Sequence, residues 1–337
     1  MGVDRNRFDE VVRQGLSFVL RLALVLGGLV PNGFGADVVP TRSEEVTARS
    51  SQNFRFDDIV GSRILVLGDS ISEAGGYLSD IRYYLAKRYP GKVVDFTNIG
   101  LSSEGISGYS PYERHEKIYG FPNPWILSRL DAALRKLKPE VVVMMYGMND
   151  SYEEVYAQGE FPMYKNGFER VLIACREKGV KKFIILTPTP YGDFAAPKEK
   201  YLTDYSEWLL SRKDPDVVVV DLHGRFKVLV ESRGESYAPD KVHPNAKYHF
   251  EMAKIILAAG GIEVSKEDNA ESIARDPLWK TADALQRLQD DCTRRWVGYT
   301  REAVFSKPER YTEDEQKKRT ALCEQLELLV SKASAGS

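Results

Sequence analysis

The chain has 337 residues, 43% hydrophobic and 28% charged, and 47 Lys+Arg set against 49 Asp+Glu leave a formal charge of −2. Ordinary apolar content with little net charge excludes a disordered, tail-like protein. The even balance offers no field for nucleic acid or an anionic membrane surface. Three cysteines with no CxxC pair exclude a disulfide-dense scaffold and a zinc knuckle.

Residues 1–35 do not read as part of a core. Arg5, Arg7 and Arg13 precede an apolar stretch, Leu16–Val30, interrupted by Arg21, and Pro31 leads into the small residues Gly33–Ala36. This resembles a secretory signal cleaved near Gly35 or Ala36, which would place the mature protein in the periplasm or medium. An N-terminal anchor is the alternative and would be the sole contact with a membrane, although the uninterrupted run Leu22–Val30 is too short to span one. Residues 36–60 are polar and mixed, a linker or arm.

From Arg63 the pattern alternates. Ile64–Leu67, Val93–Phe96, Val141–Tyr146, Phe183–Leu186 and Val217–Val220 are short continuous apolar runs, as in parallel strands buried on both faces. Helical patterns fall between them. Phe168, Val171, Leu172 and Cys175 recur at i, i+3, i+4 and i+7, and residues 78–88, 125–137, 198–212 and 245–259 also read as helices. Strand and helix in alternation predict a doubly wound α/β sheet over 61–262. Beyond Gly260-Gly261 the strand signals stop, and 263–337 reads as an extension of two or three helices. Cys292 and Cys323 lie in two of these and could pair across a hairpin if the protein is exported. Cys175 reads as a core residue.

Open parallel sheets carry their sites at the carboxyl ends of the strands. There the sequence places Gly68-Asp69-Ser70, then Asn98 through Gly105, Gly147-Met148-Asn149-Asp150, Thr187–Tyr191, Asp221-Leu222-His223 and, before a helix, Asp240-Lys241-Val242-His243. Taken singly, each is an ordinary turn or cap. Together they supply a Ser, an Asn, an Asp and a His, the types that acyl transfer through a serine needs. A binuclear metallophosphoesterase would want Asp-x-His at the first strand, where this chain has Asp69-Ser70-Ile71. Asp69 and Asp150 read as turn or capping residues, His223 as a satisfied loop histidine, and His115 and His249 have no partner in the sequence.

Four of these blocks, Gly68-Asp69-Ser70, the segment after Asn98, Gly147-Met148-Asn149-Asp150 and Asp240-Lys241-Val242-His243, in order over about residues 61–260, resemble the GDSL, or SGNH, hydrolase family. The resemblance implies a three-layer α/β/α flavodoxin-like parallel sheet of about five strands, with the helical extension added. It implies Ser70 as nucleophile, His243 as base and then acid, and Asp240 as the group that fixes the imidazole tautomer. The oxyanion donors would be the Ser70 N–H, the side-chain amide of Asn149 and an amide of the block after Asn98. Family members usually have glycine at the position of Ser103; a backbone donor does not require glycine, so Ser103 or a neighbour can serve. The resemblance implies no metal and no cofactor.

Aromatic residues crowd the following loop, among them Tyr109, Tyr112, Tyr119, Phe121 and Trp125, and Tyr191 follows the fourth strand. Such rings can stack on sugar faces or simply pack the loop. Tyr109, Trp125 and Tyr191 are the candidate substrate contacts. Three functions stay open: an esterase removing short acyl groups, acetyl foremost, from small molecules or carbohydrates; an O-acyltransferase using the same residues; and a silent carbohydrate-binding relative.

Overall fold

The computed structural model describes residues 54–109, 124–157, 161–297, 305, 307 and 309–335. The secretory or anchor segment, and most of the arm, therefore lie outside the described residues, as do His115, Tyr112, Tyr119 and Phe121.

The elements run β1 (Ile64–Gly68), α1 (Ser70–Ala74), α2 (Gly76–Arg88), β2 (Phe96–Asn98), α3 (Leu130–Leu137), β3 (Val141–Met145), α4 (Glu153–Tyr156), α5 (Pro162–Glu177), β4 (Lys182–Leu186), α6 (Pro197–Leu210), β5 (Val217–Val220), α7 (Leu222–Arg233), α8 (Ala246–Ala259), α9 (Ala270–Arg275), α10 (Pro277–Val297) and α11 (Glu313–Ala335). The five strands form one parallel sheet in the order β2-β1-β3-β4-β5. The order reverses at β1, so the crevice beyond its carboxyl end is the natural site.

Each central strand is apolar on both sides because helices cover both faces. Ile64 and Val66 join one core with Leu78, Phe226 and Ile256 of α2, α7 and α8. Leu65 and Leu67 join the other with Leu134, Phe168 and Tyr205 of α3, α5 and α6. At the end of the 36–60 stretch, Phe54, Phe56 and Ile59 are buried in the first core, and Phe56 N–H donates to Gly260 O at 3.2 Å.

Three expectations need correcting. The second strand is Phe96–Asn98, not Val93–Phe96, because Phe96, Thr97 and Asn98 are the residues in register with Ile64, Leu65 and Val66. The 125–137 helix starts only at Leu130, since Trp125 is held in a bridge to Gly105 and Ile126–Ser128 make a 3₁₀ turn. Cys292 and Cys323 are free thiols: Cys292 Sγ is turned to the Arg295 guanidinium, 3.3 Å away.

The C-terminal helices cover α2 and the β2 edge. Arg82 is fully buried and donates to Gln286 (Nη2, 2.8 Å) and to Gln289, and Ser79 donates to Asp283 at 2.9 Å. This explains why α2 carries buried Ser79, Asp80 and Arg82: the polar face of a two-layer surface helix has become an interface. Arg310 reaches Thr97 on β2 at 3.2 Å, shielding a strand that would otherwise be an open edge.

Two carboxyls in this interface give a pH signature. Burial pushes Asp80 up to about 7 despite the Trp279 indole donor at 2.7 Å. Burial likewise pushes Asp290 up to about 7 against the Gln286 amide at 2.9 Å. A carboxyl raised in the folded state stabilises fully below its unfolded value, about 4, and that stability is lost as pH rises through about 7. Asp80→Asn/Asp290→Asn is therefore expected to melt about 5 °C above the parent at pH 8, with the gap closing by pH 4.5. Equal melting temperatures for parent and variant at both pH values would mean that neither carboxyl is raised.

Candidate active site

The site assembles from strand ends. Asp69 leaves β1 and caps α1, its Oδ1 accepting the Ile71 N–H at 3.0 Å. Burial pushes this carboxyl up to about 7, the Ile71 donor opposing. It starts the short helix that projects Ser70, at the capping position the sequence suggested.

His243 comes from a turn before α8. Asp240 Oδ1 accepts the backbone N–H groups of Val242 (3.0 Å) and His243 (2.8 Å), and its Oδ2 lies 2.6 Å from His243 Nδ1. The other ring nitrogen, Nε2, lies 2.7 Å from Ser70 Oγ. Burial alone would raise Asp240, but the ring and backbone donors hold it down at about 2. The turn is braced from the β4 end, where Gly192 N–H donates to Lys241 O at 2.8 Å. A Cβ at Gly192 would stand 2.9 Å from the Lys241 Cα, so only glycine fits this approach.

The loop after β2 resolves which amide is free. Gly100 N–H is bonded to Asn98, Leu101 to Gly68 O, Ser102 to Glu73, Glu104 to Leu101 O, Gly105 to Pro124 O, and Ile106 and Ser107 to Asp150. Among the described residues, the Ser103 N–H alone in this run has no acceptor. Ser103 adopts φ +64°, the left-handed region that costs a side-chain-bearing residue about 1–2 kcal/mol and that glycine enters freely. Asn149 donates one side-chain N–H to Glu104 O at 3.1 Å, leaving its second for a ligand. Asp150 is buried and organises the loop through Ile106 N–H (2.9 Å) and Ser107 N–H (2.8 Å).

The three aromatic candidates divide. The Trp125 indole N–H is bonded to Ile106 O at 3.2 Å, and the ring lies under the Arg170 guanidinium, so it packs its loop. Tyr109 lies 5.8 Å from Tyr152, and the Lys198 ammonium sits between the rings of Tyr152 (5.3 Å) and Tyr191 (5.9 Å). Sequence reasoning missed Tyr152 and Lys198. Lys198 Nζ donates to Met148 O at 2.6 Å, beside Asn149, and burial pushes it down to about 8. Tyr152 lies in the turn before α4 and Lys198 in the first turn of α6, places that carry no sequence mark of a site.

His223 corrects the loop assignment. It is the second residue of α7, buried, with Nε2 3.1 Å from both Thr203 Oγ1 and Glu199 Oε1. His249 is stacked 6.2 Å from Tyr77, and burial, with the nearby His243, pushes it down to about 4. Among the described residues no cluster of three His, Cys, Asp or Glu could hold a metal.

The Ser–His–Asp array thus sits at the carboxyl end of a parallel α/β/α sheet, and the family that the chain matches is one of carboxylic ester hydrolases. The family model described as GDSL-like Lipase/Acylhydrolase matches residues 66–249, more than half of the chain, and the chain belongs to that family. A comparison with curated proteins returns no match. Among solved structures, the chain is similar to an acetyl-xylooligosaccharide esterase from Geobacillus Stearmophilus, at 20% identity and TM-score 0.47, covering 62% of this chain and 98% of that one. It is also similar to a putative lipolytic protein of the G-D-S-L family from Desulfitobacterium hafniense (17% identity, TM-score 0.41, 58% and 98% covered). A carbohydrate esterase family 3 protein from Talaromyces cellulolyticus gives 19% identity, TM-score 0.38, and 59% and 94% coverage.

Proposed function

We propose that the chain is a serine esterase that removes short acyl groups, acetyl foremost, from carbohydrates. The observation that carries this reading is the unbroken line from Ser70 Oγ to His243 Nε2 (2.7 Å) and from His243 Nδ1 to Asp240 (2.6 Å). Ser70 Oγ attacks the ester carbonyl carbon while its proton passes to His243 Nε2. The resulting oxyanion is received by the Ser70 and Ser103 N–H groups and the free N–H of Asn149. As the tetrahedral species collapses, His243 returns the proton to the leaving sugar oxygen. Water then attacks the acyl-enzyme, giving its proton to His243, and the acid leaves as Ser70 regains its hydrogen. No step draws on a metal or cofactor.

Two further observations refine the reading. The His243 and Asp240 side chains are 49% and 55% exposed, so water reaches the acyl-enzyme readily, which favours hydrolysis over transfer to a second sugar. Tyr109, Tyr152 and Tyr191 present partly buried rings at the sheet end that carries Ser70, a row suited to the apolar face of a sugar. The basic-then-apolar start of the chain supports export, and no helix among the described residues is long and apolar enough to cross a membrane.

Nitrophenyl esters of increasing chain length test the acyl preference. The expected result is a kcat/KM highest for acetate and falling by about tenfold or more by octanoate. Equal or better turnover of the long chains would overturn the short-acyl reading. Product analysis with an acceptor sugar present distinguishes free acid from a transferred ester.

A further inference from the structure

We propose that Glu73 is a positioning residue for the oxyanion-binding amide of Ser103, held in place partly by the C-terminal helix α10. This rests on the serine-esterase reading above. Glu73 lies three residues after Ser70 on α1. Its Oε2 accepts the Ser102 N–H at 2.7 Å and also the Ser102 hydroxyl. The Ser103 N–H belongs to the Ser102–Ser103 peptide, so a carboxylate on the nucleophile's own helix governs the residue that aims it.

The other side of Ser103 is held by a second carboxylate. Glu104 is fully buried and takes two bonds from Arg129, Nε at 2.6 Å and Nη2 at 2.7 Å, and a third from Tyr146 OH at 2.6 Å. Arg129 Nη2 also donates to Ile99 O at 2.6 Å. Ser103 is therefore gripped on both flanks, and a left-handed serine persists only where its surroundings over-determine it.

The loop and α1 are in close apposition. A Cβ at Gly100 would stand 2.7 Å from the Glu73 backbone nitrogen, and Asn98 Nδ2 donates to Ser72 O at 2.8 Å. Helix α10 closes the arrangement: Arg294 Nη2 donates to Glu73 O at 3.3 Å, and Thr293, Arg294 and Val297 share a small cavity with Gly100 and Leu101. The extension thus reaches the helix that carries the nucleophile, and the distance between Ser70 and the Ser103 amide is set inside one rigid unit.

The test uses the full chain with Glu73→Ala, Glu73→Gln and Arg294→Met, assayed on nitrophenyl acetate and with methylboronic acid as a mimic of the tetrahedral species. Glu73→Ala is expected to lower kcat by about 10–100-fold with KM changed by no more than about threefold, and to weaken boronate inhibition by a similar factor. Glu73→Gln, which keeps one acceptor oxygen, is expected to recover most of the loss, and Arg294→Met to show a smaller loss of the same kind. The acid limb of the pH–rate profile should not move, because His243 and Asp240 are untouched. A folded Glu73→Ala with parental kcat and boronate affinity overturns the proposal. So does a loss of kcat with boronate affinity unchanged, which would place the effect outside oxyanion binding. If Glu73→Ala does not fold, the same two readouts on Glu73→Met, which keeps the side-chain length but offers no acceptor oxygen to Ser102, decide. An active Ser70→Ala would instead remove the esterase reading itself.

Discussion

Ser70→Ala is expected to lower kcat on nitrophenyl acetate by about 10⁵–10⁶-fold while leaving the fold intact. The size follows from what the hydroxyl does: it is the attacking atom, and its loss leaves only the donors for the oxyanion and substrate binding, which together sustain a small residual rate. The fold should not notice, because the cap of α1 is the Asp69 carboxyl and not the Ser70 hydroxyl. The check is initial-rate kinetics on parent and variant of matched melting temperature. Comparable rates would show that the nucleophile is elsewhere.

Asp240→Asn is expected to cost about 10³–10⁴ in kcat, again with little structural change. Asp240 Oδ1 is engaged by the Val242 and His243 backbone donors, so an asparagine keeps its carbonyl there and turns its NH₂ toward His243 Nδ1. The ring must then carry its proton on Nε2, the atom that faces Ser70 Oγ, and it can no longer accept from the hydroxyl. Because both side chains are about half exposed, the loss comes through the tautomer more than through removal of a charge. With Asp240 at about 2, this carboxylate stays ionised throughout the working range and keeps accepting from the ring. A variant that keeps parental kcat would mean that Asp240 does not orient the ring.

Much of this was readable in the chain because the signals are local. Runs such as Ile64–Leu67 and Val141–Met145 announce strands buried on both faces, and Asp240 and His243 share one turn, so their meeting needs no long-range information. Ser70 and His243, 173 positions apart, were paired by the family resemblance, since His243 lies in a turn before α8 and not at a strand end. Helix α7 was missed because it buries little more than Leu222, His223 and Phe226 and so shows a weak apolar stripe. The identity of the free amide was not legible, since it depends on where every neighbouring N–H finds an acceptor. The links from Glu73 to Ser102 and from Arg294 to Glu73 lie outside any periodicity, for a surface-like glutamate and arginine carry no mark of their partners.

The most direct measurement is labelling with a fluorophosphonate followed by peptide mapping of the modified chain. Such reagents bond covalently to an activated serine, so stoichiometric label on the peptide containing Ser70, abolished in Ser70→Ala and strongly slowed in Asp240→Asn, is the expected result. Label on another serine, or no label under conditions where the ester is hydrolysed, would contradict a Ser70 nucleophile.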